Sequence, residues 1–155
     1  MALRNILKEG DDRLRKKSRE VTEFNERLWT LLDDMSETMR DSNGVGLAAP
    51  QVGILRRAVV IDVGEGLHEL INPVIVQQTG DQYCSEGCLS VPGEYGMVHR
   101  PASVTVRAQD RFGKPIELTA NDYFAIAVCH ETDHLDGILF IDKADRMLSA
   151  DELED

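Results

Sequence analysis

An apolar run, Tyr123-Phe124-Ala125-Ile126-Ala127-Val128, leads directly into residues 129–137, CHETDHLDG. Apolar residues that give way to polar ones and stop at a glycine predict a mostly buried helix with a C-terminal Gly cap. In such a helix, residues four apart share a face. His130 and His134 are four apart, so both imidazoles can reach one point beside the helix. Glu131 lies about 100° round from His130, where its carboxylate can flank that point. This H-E-x-x-H spacing suits a metal-dependent hydrolase: two nitrogens hold a divalent ion, and the Glu moves protons for its water. Inside a buried helix, two histidines and a glutamate are costly without a shared partner such as a metal. The plainer alternative is a surface face or a satisfied core pair, so the rest of the chain has to supply a third ligand.

The chain has 155 residues, enough for one domain with a sizeable core. A single domain over residues 1–155 is expected, with its core at about 6–142 and a short acidic tail after it. The 17 basic and 28 acidic side chains give a net charge of -11. That balance argues against phosphate contacts over a broad surface, so no direct nucleic-acid binding is expected. Only the first 20 residues are locally basic, through Arg4, Lys8, Arg13, Arg15, Lys16, Lys17 and Arg19. No apolar run approaches membrane-spanning length, so no membrane partner is expected. The opening MALRNILKEGDDRLRKKS has no apolar signal core and is not an acid-poor transit segment, which predicts a cytoplasmic location. Three cysteines, an odd number, argue against a disulfide framework and for thiol chemistry or burial.

Along the chain, residues 1–20 read as an irregular arm with a short helical turn at 11–17. From 22 to 40, Phe24, Leu28, Leu31, Leu32, Met35 and Met39 recur at helical spacing, with Thr22 as N-cap. Residues 57–63 (RAVVIDV) and 69–77 (ELINPVIVQ) read as strands, and Pro73 puts the second at an edge or a bulge. Residues 102–110 alternate, and Phe112-Gly113-Lys114 turns them into a partner strand at 115–119. The HETDH helix and a short apolar run at 138–141 follow. Helix, strands, then a helix on the sheet is an α+β plan.

Two further stretches carry candidate chemistry. The first is GVGLAAPQVG at residues 44–53. A dinucleotide fingerprint must follow a strand and open a helix, whereas a polar helix precedes this one and Pro50 follows, so that reading fails. Closely spaced glycines instead let backbone approach a ligand, and the Gln51 amide could donate to a developing oxyanion. The second is CSEGCLSVPG at residues 84–93. One thiolate from it would complete a His, His, Cys site with a fourth position open for water. Both cysteines together would make a closed Cys2His2 staple without catalysis, and burial as a small apolar residue is the commoner fate of either. Glu86 within this stretch and Arg100 beyond it are expected to pair beneath the site, since a buried acid beside a ligand loop needs a partner.

GVGLAAPQVG, EGCLS at residues 86–90 and HETDH at 130–134 together resemble the three signature motifs of peptide deformylases, in order and in separation. The resemblance runs from about Ile6 to Asp142. The surroundings VPGEYGMVHRP are similar to the branch common in Gram-positive bacteria. The family implies an α+β fold of small antiparallel or mixed sheets around a central HExxH helix. It also implies hydrolysis of the formyl group from N-formyl-methionyl nascent chains, with formate released and a metal-bound water as nucleophile. By matching position, Cys88, His130 and His134 are implied as metal ligands and Glu131 as general acid/base. Gln51 and the Leu89 N–H are implied as the oxyanion hole, and Gly46 as the strip along which an extended substrate lies, with Gly44 beside it. Val45, Ile126 and Ala127 are candidates for the Met slot. Cys84 falls outside the ligand set. The implied ion is Fe2+, with Zn2+, Ni2+ or Co2+ able to substitute; ligand types alone suggest zinc. Work close to the ribosome is implied, although the basic C-terminal helix by which some members dock there is absent from this sequence.

Overall fold

The computed structural model describes residues 2–153. In chain order the elements are α1 (Glu26–Asp41), β1 (Gly46–Ala48), β2 (Ala58–Ile61), β3 (His68–Thr79), β4 (Gln82–Cys88) and β5 (Val91–Arg100). Then come β6 (Ser103–Gln109), β7 (Pro115–Asn121), α2 (Asp122–Leu135), α3 (Phe140–Lys143), β8 (Arg146–Met147) and α4 (Ala150–Leu153). Short 3-10 turns sit at Asp12–Arg15 and Ala49–Val52. The strands form two antiparallel sheets, ordered β1-β2-β3-β6-β7 and β4-β5-β8. This is the α+β class expected from the sequence.

The five-stranded sheet lies between α1 and α2. Val59 and Ile61 of β2 point to a core shared with Ala125, Val128 and Leu135 of α2. Ala58 and Val60, the alternate residues, point to Leu32, Met35 and Met39 of α1. A strand covered on both faces reads as an unbroken apolar run, which is why AVVI does not alternate. A smaller core of Val91, Val98, Leu139 and Phe140 joins the second sheet to α3.

Several boundaries differ from the sequence reading. Asn25, not Thr22, caps α1: its side-chain oxygen accepts from the N–H groups of Arg27 and Leu28. The preceding residues cannot be helical because Val21 is pinned by both backbone groups to the Asn72 side chain, at 2.8 and 2.9 Å. Of the two placements expected for Pro73, the bulge is the one found. The β3 register slips between Ile71 and Val74, and Asn72 takes φ 52, while β3 stays central between β2 and β6. The hairpin β4–β5 was not anticipated, because its Pro and Gly residues hide the alternation. The run at 138–141 leads into the single turn α3. At the end of α2 the expected glycine cap is present as a Schellman motif: Gly137, at φ 77, donates to His134 O and Ile138 donates to Asp133 O.

Candidate metal centre

Three elements meet at the open edge of the large sheet. Burial of Ala125, Val128 and Leu135 rolls α2 so that His130 and His134 face the end of β4. Their Nε2 atoms lie 3.3 Å apart, and Cys88 Sγ lies 3.3 Å from His134 Nε2. The donor atoms of Cys88, His130 and His134 all fall within 4.8 Å of one another. Cys88 reaches this point because a register slip between Glu86 and Cys88 turns the strand end. Cys84 is four residues back along the strand, roughly 13 Å away at the usual rise, and outside the cluster. The closed Cys2His2 arrangement is therefore not formed.

The cluster fits a divalent ion. One cysteine sulfur and two imidazoles converge on one point, and both histidines are buried. His130 Nδ1 donates to Glu86 Oε1 at 2.9 Å, which leaves its Nε2 lone pair directed at the other two donors. Glu86 is in turn gripped by Arg100, whose Nε and Nη2 donate to its two oxygens at 2.7 and 2.8 Å. The expected Glu86–Arg100 pair is thus present. The third Arg100 contact, Nη1 to Asp133 Oδ2 at 2.7 Å, was not foreseen; nor was Lys143, which holds Asp133 from α3. Asp133 lies inside the HETDH motif, so its position was a signal; Lys143 gave none.

These contacts set the protonation states. Burial works against the Glu86 carboxylate, but hydrogen bonds from Arg100 and His130 outweigh it and hold the group down at about 2. Burial also opposes charge on both histidines. His130 is held above its ordinary range all the same by Cys88 and Glu86, so a bound ion would take the place of a proton on its Nε2, whereas burial and the neighbouring His130 keep His134 below it. A neutral His134 is the form that can ligate. Glu131 has no partner for Oε1, and burial, partly offset by His130, lifts it to about 7. Cys129, one residue before His130, is buried, and burial pushes its thiol up to about 11.

The cluster opens into a cleft of about 520 Å³. Gly44, Val45, Gly46, Gln51, Leu89, Ile126 and Ala127, all expected at the site, line it, joined by the unforeseen Tyr95 and Tyr123. Ala48 N–H donates to Gln51 Oε1 at 2.9 Å, which turns the Gln51 amide nitrogen toward Ser90 Oγ (3.0 Å) and Cys88 Sγ (3.5 Å). Gly46 is there for space as well as for its backbone. A Cβ on it would lie 2.9 Å from Glu131 Cδ and 3.0 Å from Cγ.

The chain matches the family model described as polypeptide deformylase over residues 3–149. The chain belongs to that family. A peptide deformylase of Acetivibrio thermocellus is 58% identical over 154 residues, 99% of this chain and 91% of the relative. A crystal structure of a deformylase from Legionella pneumophila has TM-score 0.89 at 46% identity, covering 97% of this chain and 88% of that one. A Synechococcus elongatus deformylase solved with actinonin has TM-score 0.88 at 39% identity, covering 96% and 81%. All three deformylase motifs of this chain lie on the walls or floor of the one cleft. No described helix is long and apolar enough to cross a membrane.

Proposed function

We propose that this chain is a metal-dependent hydrolase that removes the formyl group from N-formyl-methionyl nascent polypeptides and releases formate. The observation that carries the reading is the convergence of one thiolate and two imidazoles beside a buried, unpartnered Glu131 in an open cleft. Cys88 Sγ, His130 Nε2 and His134 Nε2 would hold one divalent ion. Fe2+ is assigned on the family's motifs, while Zn2+, Ni2+ and Co2+ suit the same donors. Such an ion supplies Lewis-acid polarisation and lowers the pKa of a water to about 7.

The chain's own residues do the rest. Glu131 takes the proton of the attacking water on a carboxylate oxygen and passes it to the leaving amine. A pKa of about 7 suits that exchange near neutral pH. The Gln51 amide nitrogen and the Leu89 N–H donate to the oxygen of the formyl group as charge develops there, and one such donor is typically worth ~10²–10³ in rate. β1 is an edge strand, so an extended substrate can add alongside Gly46 through backbone hydrogen bonds that tolerate most following sequences. Val45, Ile126 and Ala127 offer the Met side chain an apolar wall. A formyl carbon bears only hydrogen, so a cramped site excludes acetyl.

The substrate assigns the enzyme to the cytoplasm, near the ribosome, acting as a single domain. Formate release from a formyl-Met peptide, abolished by a chelator and restored by ferrous iron without oxygen, tests the reading. Cleavage of ordinary peptides, or formate release that ignores the chelator, would overturn it.

A further inference from the structure

Away from the cleft, a groove of about 770 Å³ runs between the N-terminal arm, the start of α1 and residues 53–56. Arg4, Arg19, Arg27 and Arg56 line it. Arg4 pairs with Asp34 at 2.9 Å. Arg19, Arg27 and Arg56 are exposed and have no acid within ion-pair reach among the described residues, whereas every other arginine has one. In a chain with 28 acidic and 17 basic side chains, three unpaired arginines in one groove are an unexpected concentration.

Their placement is electrostatically unfavourable in the isolated chain. Arg19 N–H donates to Leu55 O at 3.0 Å and Arg57 N–H donates to Arg19 O at 2.9 Å, a parallel bridge that sets Arg19 beside Arg56. Side chains paired in this way start only about 5 Å apart, and like charges there repel. Arg27 sits in the first turn of α1, at the positive end of a 16-residue helix, where a cation is disfavoured. An anion seated between them would offset both terms.

We propose that this groove docks the phosphate backbone of helical RNA. Guanidinium forks match phosphate oxygens two at a time. A peptide partner would need a deep apolar anchor pocket, but Val21, Leu28 and Leu31 are each only 6% exposed, and the apolar surface left to reach is that of half-buried Ile54 and Leu55 between the arginines. Single strands are held by stacking, and no aromatic side chain lines the groove. Helical RNA is bound through backbone and shape and needs neither. Acidic surface elsewhere repels a polyanion and focuses its approach on this face. Glu23, which also lines the groove, keeps the affinity modest and salt-sensitive. The choice of RNA over other helical polyanions rests on the nascent-chain substrate proposed above. Net charge averages over the whole surface, which is why the composition pointed away from nucleic acid.

The test is fluorescence anisotropy of a labelled RNA hairpin titrated with the full, metal-loaded chain. Three phosphate contacts predict a loss of about 40-fold in affinity between about 50 and 200 mM salt. The double variant Arg19→Glu/Arg56→Glu loses at least about tenfold at low salt and flattens the salt slope by about two. Its formate release from a short formyl-Met peptide stays unchanged, which reports an intact fold and separates this idea from the catalytic one. Arg107→Glu, an exposed arginine paired with Glu117 on the sheet, is the charge control and binds RNA within about twofold of the parent. No hairpin binding, binding indifferent to the double variant, or capture by the groove of polyglutamate or anionic vesicles in place of RNA would each overturn the proposal.

Discussion

Replacing Arg100 by Met tests how the protein holds His130 from behind. Arg100 is 3% exposed, and its guanidinium donates to Glu86 through two nitrogens and to Asp133 through a third. Met fills the volume but leaves the Glu86 carboxylate buried with His130 as its sole remaining partner. Removing one member of a buried pair typically costs about 3–5 kcal/mol. The depressed pKa gives a second route to the magnitude. Glu86 sits at about 2 against an ordinary 4.5. That difference is worth about 3 kcal/mol, present above pH 4.5 and lost as pH falls from there toward 2. In the variant, burial without Arg100 pushes Glu86 upward, so it is destabilised at neutral pH and recovers as the carboxyl protonates. Urea unfolding of both proteins, each stripped of metal, is the assay. The parent exceeds the variant by about 3–5 kcal/mol at pH 7, and the gap narrows below about pH 5. A gap under about 1 kcal/mol at pH 7, or one that stays constant with pH, refutes the reasoning.

Three more perturbations address the cleft directly. Glu131→Gln keeps the fold and one metal per chain but loses about 10²–10⁴ in formate release; persistence within a few-fold removes the proton-transfer role. Gly46→Ala drives a methyl into the Glu131 carboxylate, so turnover falls by about 10² while metal content holds. Unchanged kinetics in that variant would mean the Glu131 position is not constrained there. Iron-loaded enzyme decays in air and its oxidised mass maps to the peptide with Cys88, while zinc-loaded enzyme is stable. Cys129, buried and held near pKa 11, oxidises last, and damage confined to it would contradict this account.

The parts of the molecule legible in sequence are those whose pattern carries its own physics. The i, i+4 histidines, the apolar run before them and Gly137 together specify a buried, capped helix, because each restricts the backbone or the burial independently. Alternation likewise revealed β6 and β7, whose outer face is solvated. Three kinds of feature escaped. Asn72, 51 residues from Val21, decides where α1 can start, and no local signal reports such a contact. Pro92, Gly93 and Gly96 mask β5, although two of its ends frame the site. Arg56 stands beside Arg19 only through a parallel bridge, which no local pattern announces. The ligand set was narrowed by motif resemblance, and geometry then separated Cys84 from Cys88, since a strand carries residues four apart to different places while a helix stacks them.

The centre itself is tested most directly by X-ray absorption on the zinc-loaded chain, alongside its Cys84→Ser and Cys88→Ser variants. The account predicts one sulfur at ~2.3 Å and two imidazole nitrogens at ~2.0–2.1 Å, with one lighter ligand completing the site. Cys84→Ser leaves that spectrum unchanged, and Cys88→Ser removes the sulfur shell. Two sulfurs in the parent, or a sulfur shell that survives Cys88→Ser, would contradict it.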